Sequence, residues 1–209
     1  MHIEEVKRRL SEIKSYSEEF GLNLNRKEDR FKWFIASILF AKRISSKIAA
    51  KTFRKFMEED LTNPKNILSA GWNRLVEALD LGGYVRYDFS TATNILEAVR
   101  LLIEKYDGDI DKIHQRARDP KDLERRLMEF KGIGPTATNI FLRELRGIWV
   151  KAKPKPSQTA MKIGGKLRLK TKEIEKFEAK LVKIHLEYCK RKRCKECPMT
   201  NLCIIFKAK

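Results

Sequence analysis

The sequence predicts an all-α protein, and three observations support this fold class. Apolar residues recur at helical spacing along most of the chain, beginning with Ile3, Val6, Leu10 and Ile13. Helix-start signals such as Asn63-Pro64 and Asp119-Pro120 separate these segments. We find no stretch with the apolar–polar alternation that is typical of a half-buried strand.

The helical elements follow one another with short polar breaks. The first apolar pattern covers residues 2–19 and continues to Phe20, and a polar break follows at 23–28. The run from Phe31 to Phe40 is the most apolar in the chain, and the helical pattern after it favours a buried helix over a strand. Further helices are predicted over 45–58, 64–69, 71–80, 86–105, 120–130 and 135–145, with loops at 63–64, 81–84, 107–108 and 119–120.

The chain beyond this region begins with a linker. Two prolines stiffen residues 151–156 because each of them fixes its backbone φ angle. Ser157 is the predicted N-cap of the next helix, and a last long helix covers about residues 172–189. The four cysteines of the sequence follow.

Composition restricts the classes of partner. A hydrophobic fraction of 42% in 209 residues is sufficient for a folded core. The net charge of +18 and the pI near 9.8 predict a polyanionic partner, either nucleic acid or an anionic membrane surface. Because no apolar run is typical of a bilayer span or a signal peptide, we expect an intracellular, cytoplasmic and nucleoid-associated monomer without a membrane partner.

The segment from Lys131 to Thr136 has the composition of a tight turn between two helices. Gly132 and Gly134 permit a positive φ and a close approach of the backbone to a ligand, and Pro135 suits the first turn of a helix. The free N–H groups and the dipole of that helix start favour one phosphate group. The alternative is an ordinary helical corner in which the glycines only allow tight packing.

All four cysteines lie near the end of the sequence, in the pattern Cys189-x4-Cys194-x2-Cys197-x5-Cys203. In an intracellular protein such a group predicts a metal centre rather than two disulfides. A single C-x2-C pair with one cysteine on each side favours an iron–sulfur cubane over zinc, although cysteine-only sites serve both. The basic residues around the ligands stabilise thiolates, contact phosphates or form a solvated face.

These two motifs, in this order and at this separation, resemble the helix-hairpin-helix DNA glycosylase superfamily, and within it the endonuclease III group with a C-terminal iron–sulfur cluster. The resemblance covers about residues 28–203. It implies a helical barrel at 28–147 with the hairpin motif at about 120–145. It also implies a second lobe, formed by 1–27 and 148–209, that carries a [4Fe-4S] cluster, with DNA in the groove between the lobes. A monovalent cation at the hairpin belongs to the same expectation. The first cysteine spacing is shorter than the family's usual one.

The catalytic positions depart from the family pattern. Bifunctional members use a lysine two residues after the second hairpin glycine, and Thr136 stands there in this chain. Members also use an aspartate as the cap of the helix after the hairpin, and Ser157 aligns with it. No Asp or Glu occurs between Glu144 and Glu173, so a small shift of the alignment does not restore the carboxylate.

Other residues are therefore candidates for catalysis. Lys42 follows the apolar helix where many family members place a glutamine that enters the DNA. A lysine that is desolvated there has a lowered pKa and serves as an amine nucleophile, whereas the simpler role is a phosphate contact. Lys153 and Lys155 in the linker are lesser candidates. Asp88 is a candidate carboxylate, with helix capping or an ion pair with Arg86 as its alternative role.

Two segments are predicted to contact DNA. The hairpin should present backbone N–H groups to a phosphate, and its residues are Lys131, Gly132, Ile133, Gly134 and Thr136. The segment after the Leu81–Tyr84 turn combines aromatic rings with a cation, a combination that suits an extruded base. Its residues are Tyr84, Arg86 and Tyr87, and the alternative for each tyrosine is core packing.

Three functions are consistent with this pattern. The first is a base-excision-repair glycosylase or abasic-site lyase with relocated catalytic groups, acting on damaged, mismatched or abasic nucleotides in duplex DNA. The second is a monofunctional glycosylase that leaves strand cleavage to a downstream endonuclease. The third is a non-catalytic paralogue that binds abasic or distorted DNA. We expect an enzyme, although fold alone does not determine function.

Overall fold

The chain from residue 2 to residue 204, which the computed structural model describes, is helical, and this range contains no β-strand. The predicted all-α class is confirmed. The helices are α1 (His2–Glu12), α2 (Tyr16–Glu19), α3 (Lys27–Phe40), α4 (Ser46–Glu58), α5 (Pro64–Gly82), α6 (Asp88–Tyr106), α7 (Asp111–Arg116), α8 (Pro120–Met128), α9 (Pro135–Arg143), α10 (Gln158–Lys166) and α11 (Thr171–Ile184). None of these helices has the length and apolarity needed to cross a bilayer.

Helix α3 contains the predicted apolar run. Between Phe31 and Leu39 every residue except Lys32 is buried, so the helix has no broad solvent face. A helix that is apolar on all sides must be enclosed by other elements. The prediction of a buried helix rather than a strand is confirmed.

Helix α5 joins the two predicted helices at 64–69 and 71–80. Gly71 has φ 71° and ψ −177°, which is not a helical conformation, so the element consists of two helical segments that meet at a kink, as the two predicted helices require. The Asn63 side chain accepts a hydrogen bond from the Asn66 N–H, which caps the helix start. The helix includes Gly82 and ends at Gly83 in the left-handed conformation, so the predicted loop at 81–84 is shorter than expected.

Three further features differ from the prediction. The first apolar pattern is divided between α1 and α2. Helix α7 was not predicted, because its six residues contain only one buried apolar side chain, Ile113, and therefore no periodic signal. The last long helix has the predicted extent but changes type within it: it is α-helical from Thr171 to Ile184 and π-helical at His185–Cys189. Two 3-10 turns follow at Cys194–Glu196 and Thr200–Leu202.

The chain forms two compact units. The central unit extends from Phe20 to Pro154, and the terminal unit combines the residues before Phe20 with those after Pro154. The predicted boundaries at 28 and 147 lie inside the central unit, near its two ends.

The core of the central unit is rich in aromatic rings. Phe34 of α3 meets Phe130 at a centroid distance of 5.4 Å and Phe141 at 5.6 Å, both nearly edge-on. Arg30 on the same helix donates to Asp111 through Nε at 2.6 Å and to the Leu24 carbonyl at 2.7 Å. These contacts attach four different segments to α3.

The core of the terminal unit is aliphatic. Val6 and Leu10 of α1 pack with apolar side chains of α10 and α11, and Met199 closes the cluster next to the cysteine turns. Lys183 is almost fully buried, and its ammonium donates to the Lys14 carbonyl at 2.8 Å and to Glu19. The buried charge is thus paired, as burial requires.

A substitution at Gly82 tests the close contact between α4 and α5. A Cβ atom at this position would lie 2.6 Å from the Thr52 Cα atom, so the two helix backbones would have to separate. We expect Gly82→Ala to lower the free energy of unfolding by about 2 kcal/mol, as overpacked sites do. Thermal denaturation followed by circular dichroism measures the change.

Gly165→Ala is the matched control for Gly82→Ala. A Cβ at residue 165 meets no atom within 4 Å, and the residue lies in helix α10. This variant should be as stable as the wild type or more stable by up to about 1 kcal/mol, because alanine is the better helix former. Equal destabilisation of the two variants would contradict the packing explanation.

Candidate nucleic-acid interface and metal centre

The predicted hairpin connects α8 to α9. Phe130 and Ile133 are buried, and the Ile133 N–H donates to the Phe130 carbonyl at 3.0 Å. Gly132 has φ 80°, and a Cβ there would lie 2.9 Å from the Asn94 Cβ atom of α6. Conformation and packing therefore both require glycine at residue 132.

Gly134 differs from Gly132 in both respects. Its φ is −102°, which any residue adopts, and a Cβ atom there meets nothing within 4 Å. Gly134 is the N-cap of α9 and supplies no side-chain cap, while Pro135 and Thr136 are exposed. The start of α9 thus faces open space, as the binding of an anion at a helix N-terminus requires.

Lys131 adds a cation next to the hairpin. Its side chain is 62% exposed and lies 3.7 Å from the Glu97 carboxylate of α6. An ion pair this exposed contributes little to stability, so the ammonium is available for a stronger anion.

Lys42 lies just beyond the end of α3. It is half-buried, and its ammonium makes no ion pair or hydrogen bond with any residue in the range 2–204. The Tyr84 hydroxyl donates to the Leu39 carbonyl at 2.6 Å, which attaches the turn after α5 to the chain three residues before Lys42. The structure therefore brings the predicted lysine near the predicted aromatic segment.

The aromatic segment is only partly open. Tyr84 is fully buried, and this burial raises the pKa of its hydroxyl. Its predicted contact with DNA is corrected, because its ring packs in the core and its hydroxyl is bonded to Leu39. Arg86 is exposed and lies over the half-buried Tyr87 ring at 5.4 Å, so these two residues remain candidates for DNA contact.

Asp88 is buried at the first position of α6. One carboxylate oxygen accepts a hydrogen bond from the adjacent Phe89 N–H at 2.6 Å, but Tyr87 is the N-cap of the helix, so Asp88 does not have the capping role considered from the sequence. The Asp80 carboxyl forms a hydrogen bond with Asp88. Desolvation, and after it this bond, raise the pKa of Asp80.

Ser157 has the predicted capping role, and a second group accompanies it. Its hydroxyl accepts a hydrogen bond from the Ala160 N–H at 3.3 Å. Its own N–H donates to the Glu178 carboxylate at 2.8 Å, and Glu178 of α11 is almost fully buried. A carboxylate thus lies at the start of α10, although the neighbouring sequence contains none. No local pattern predicts this contact, because the two residues are 21 positions apart.

All four cysteines line one cavity of about 730 Å³ in the terminal unit, and Lys166 also lines it. Burial raises the pKa of the Cys189 thiol, and burial raises the pKa of Cys197 to about 11. Within residues 2–204, no three or more His, Cys, Asp or Glu side chains are arranged as around a metal ion. The cavity nevertheless supplies four free thiols, which is a donor set that fits an iron–sulfur cluster.

Comparison with known proteins identifies no relative: no family model matches the chain, and no curated protein is significantly similar to it.

The two hairpin glycines allow stability and binding to be separated. We expect Gly134→Ala to keep the wild-type melting temperature, because the added methyl group enters open space. The same methyl group blocks the approach of a phosphate, and the loss of one charged hydrogen bond weakens binding about tenfold. Binding to a fluorescent duplex, measured by anisotropy, tests the effect.

Gly132→Ala is the companion variant. It should lower the free energy of unfolding by about 1–3 kcal/mol, because its positive φ is strained for alanine and the Asn94 side chain must move. Unchanged DNA affinity in a correctly folded Gly134→Ala protein would contradict the phosphate site.

Proposed function

We propose that this protein is a base-excision-repair DNA glycosylase or abasic-site lyase of the helix-hairpin-helix superfamily, similar to the endonuclease III group. In this proposal the central unit is the helical-barrel lobe. The terminal unit, which contains both ends of the chain, carries the [4Fe-4S] cluster. The substrate is duplex DNA with a damaged, mismatched or abasic nucleotide.

One observation carries the proposal: the open glycine hairpin at the start of α9. Gly132 holds the turn against Asn94, while Gly134 leaves the helix start without a cap or a covering side chain. Lys131 lies next to it and is mostly exposed. A phosphate of the DNA backbone has the charge and size that such a site accepts.

The charge of the chain supports a polynucleotide rather than a single nucleotide. A net charge of +18 attracts a polyanion over a long range, and phosphate contacts release counterions. Affinity should therefore fall steeply as the salt concentration rises. Contacts of this kind position the DNA but do not read its sequence.

Lys42 is the proposed nucleophile, because it is the candidate lysine near the aromatic segment and its ammonium has no partner among residues 2–204. The neutral amine forms a bond to the sugar C1′ atom while the bond from C1′ to the base breaks and the base takes up a proton. Opening of the sugar ring then gives a Schiff base. The amine must first lose a proton to an acceptor such as a carboxylate or water.

The cluster is the second part of the proposal. Cys189, Cys194, Cys197 and Cys203 would hold it, because their thiols share one cavity. A bound cluster would cross-link the cysteine turns and provide a one-electron redox centre. Burial raises the pKa of Cys189, and Lys166 in the same cavity partly opposes this effect by favouring the thiolate, which is the form that binds iron.

A non-catalytic role in binding distorted or abasic DNA is the second candidate. Thr136 and Ser157 occupy the positions at which the family places its lysine and aspartate, and Ser157 acts as an ordinary N-cap. The hairpin, the positive charge and the cysteine cavity serve a binding protein equally well.

Borohydride trapping separates these functions. Duplexes with an abasic site or a series of damaged bases are incubated with the protein and borohydride, and heat–alkali treatment reveals abasic product. We expect a covalent adduct that Lys42→Ala abolishes, because borohydride reduces a Schiff base irreversibly. Lys47→Ala is the matched control, since Lys47 is an exposed lysine of the neighbouring helix α4.

Each other result of this experiment has a definite meaning. An adduct that persists in Lys42→Ala contradicts Lys42 as the nucleophile and directs attention to Lys153 and Lys155. Alkali-dependent cleavage without an adduct identifies a monofunctional glycosylase. Binding to abasic DNA without any cleavage supports the non-catalytic protein.

The proposed cluster can be tested by visible absorption and by the iron and sulfide content of the protein. We expect protein purified without oxygen to have a broad visible absorption band and about four irons and four sulfides per chain. Cys194→Ser should lower the iron content, whereas Met161→Ala, an exposed change in the same unit, should not. A colourless protein with one zinc per chain would contradict the iron–sulfur assignment.

A further inference from the structure

Two large aromatic side chains lie exposed next to each other in the central unit, and the function proposed so far does not use them. Trp72 is 39% exposed and Phe89 is 59% exposed. Their ring centroids are 5.3 Å apart and the planes are inclined by 37°. Large aromatic residues normally bury most of their surface, so an exposed pair indicates an interaction site.

Two hydrogen bonds fix the Trp72 ring. The indole N–H donates to the Thr93 hydroxyl at 3.0 Å, and the Thr93 hydroxyl donates to the Phe89 carbonyl at 2.9 Å. The bend at Gly71 places Trp72 at the start of the second half of α5, opposite the first turn of α6. The exposed rings are thus held in one orientation, which lowers the entropic cost of binding a flat ligand.

The pair lies near the proposed phosphate site. Phe89 and Asn94 are on the same helix, and five residues of α-helix span about 7.5 Å. Asn94 is the residue against which Gly132 of the hairpin packs, and Glu97 one turn further pairs with Lys131. The aromatic pair and the hairpin therefore both contact α6, within about two turns of each other along its axis.

The charges nearby favour nucleic acid over an acidic or neutral protein surface. Arg86, three residues before Phe89, is exposed, and its guanidinium lies over Tyr87. Asp88 is buried and directed to the Phe89 N–H, so it adds no exposed carboxylate beside the rings.

We propose that Trp72 and Phe89 form a stacking platform for one unpaired base of the DNA strand whose phosphate is bound at the hairpin. The proposal rests on the proposed DNA-binding function and adds a second, aromatic contact to it. A base offers a flat face to an aromatic ring whatever its identity, so the platform recognises the unpaired state and not the sequence. This contact would direct the protein to duplexes that contain a distorted or extruded nucleotide.

Tryptophan fluorescence of the full chain tests the platform, since Trp33 and Trp149 are buried and Trp72 is the exposed indole. The probes are a duplex with one unpaired thymine and the same duplex fully paired. We expect the first duplex to quench the emission and to protect it from acrylamide, because a base stacks on the ring. The paired duplex should have a much smaller effect.

Substitutions test whether the contact that quenches the tryptophan fluorescence also contributes to DNA affinity. Phe89→Ala should weaken binding of the thymine-bulged duplex about tenfold while the paired duplex binds as before. Ile103→Ala is the matched control, because Ile103 lies on the same helix and is also 39% exposed. Thr93→Val keeps both rings but frees the indole, so it should cause a smaller loss of affinity. Melting temperatures establish that each variant is folded.

The results that would contradict the stacking platform can be distinguished from one another. Wild-type affinity of folded Phe89→Ala for the bulged duplex, or no quenching of Trp72 on binding, overturns the platform and leaves the hairpin proposal intact. A Phe89→Ala protein that changes its sedimentation coefficient but not its DNA affinity also overturns it and identifies a contact between copies. Failure of the wild type to bind either duplex overturns the platform and the proposed function together.

Discussion

The edge-on contacts of Phe34 with Phe130 and Phe141 are the interaction on which the central unit depends. Phe130 immediately precedes the hairpin and Phe141 belongs to the helix that follows it, so one ring holds both sides of the turn. The hairpin itself has too few residues to define its own geometry. Its open glycine keeps a fixed position because its neighbours are part of the core, as functional sites on loops require.

The same helix also positions the second candidate region. Tyr84 is bonded to the Leu39 carbonyl near the end of α3, and Lys42 follows three residues later. A buried helix thus connects the hairpin, the glycine turn and the candidate lysine without being part of the surface. Substitutions in its apolar face would displace all three at once, because a packed core transmits a change of shape.

Local signals in the sequence are sufficient to predict most of the helices and their boundaries. The apolar pattern, the Asn63-Pro64 and Asp119-Pro120 caps and the glycine break at residue 71 all act within one or two turns, and the structure follows them. The spacing of the cysteines likewise predicts that they lie together, and all four line one cavity. Local signals do not predict the burial of Tyr84, because its hydrogen-bond partner Leu39 lies 45 residues away.

The carboxyl groups near the candidate sites depend on the same kind of distant contact. Asp80 meets Asp88 only because Gly83 ends α5 and reverses the chain, and Glu178 reaches Ser157 from another helix. Sequence periodicity and local motifs do not indicate such pairs, because each of these residues is also consistent with an ordinary local role. Sequence patterns likewise do not indicate that Trp72 and Phe89 form a pair, because each residue is consistent with an amphipathic helix.

The terminal unit is assembled from both ends of the described chain, and this arrangement orders the events of biosynthesis. Helix α1 is translated before the central unit, yet Val6 and Leu10 pack on helices α10 and α11, which are translated after it. The central unit has all its residues in between and can fold while synthesis continues. The apolar face of α1 therefore stays without its packing partners while the central unit is translated, which gives chaperones a defined segment to bind.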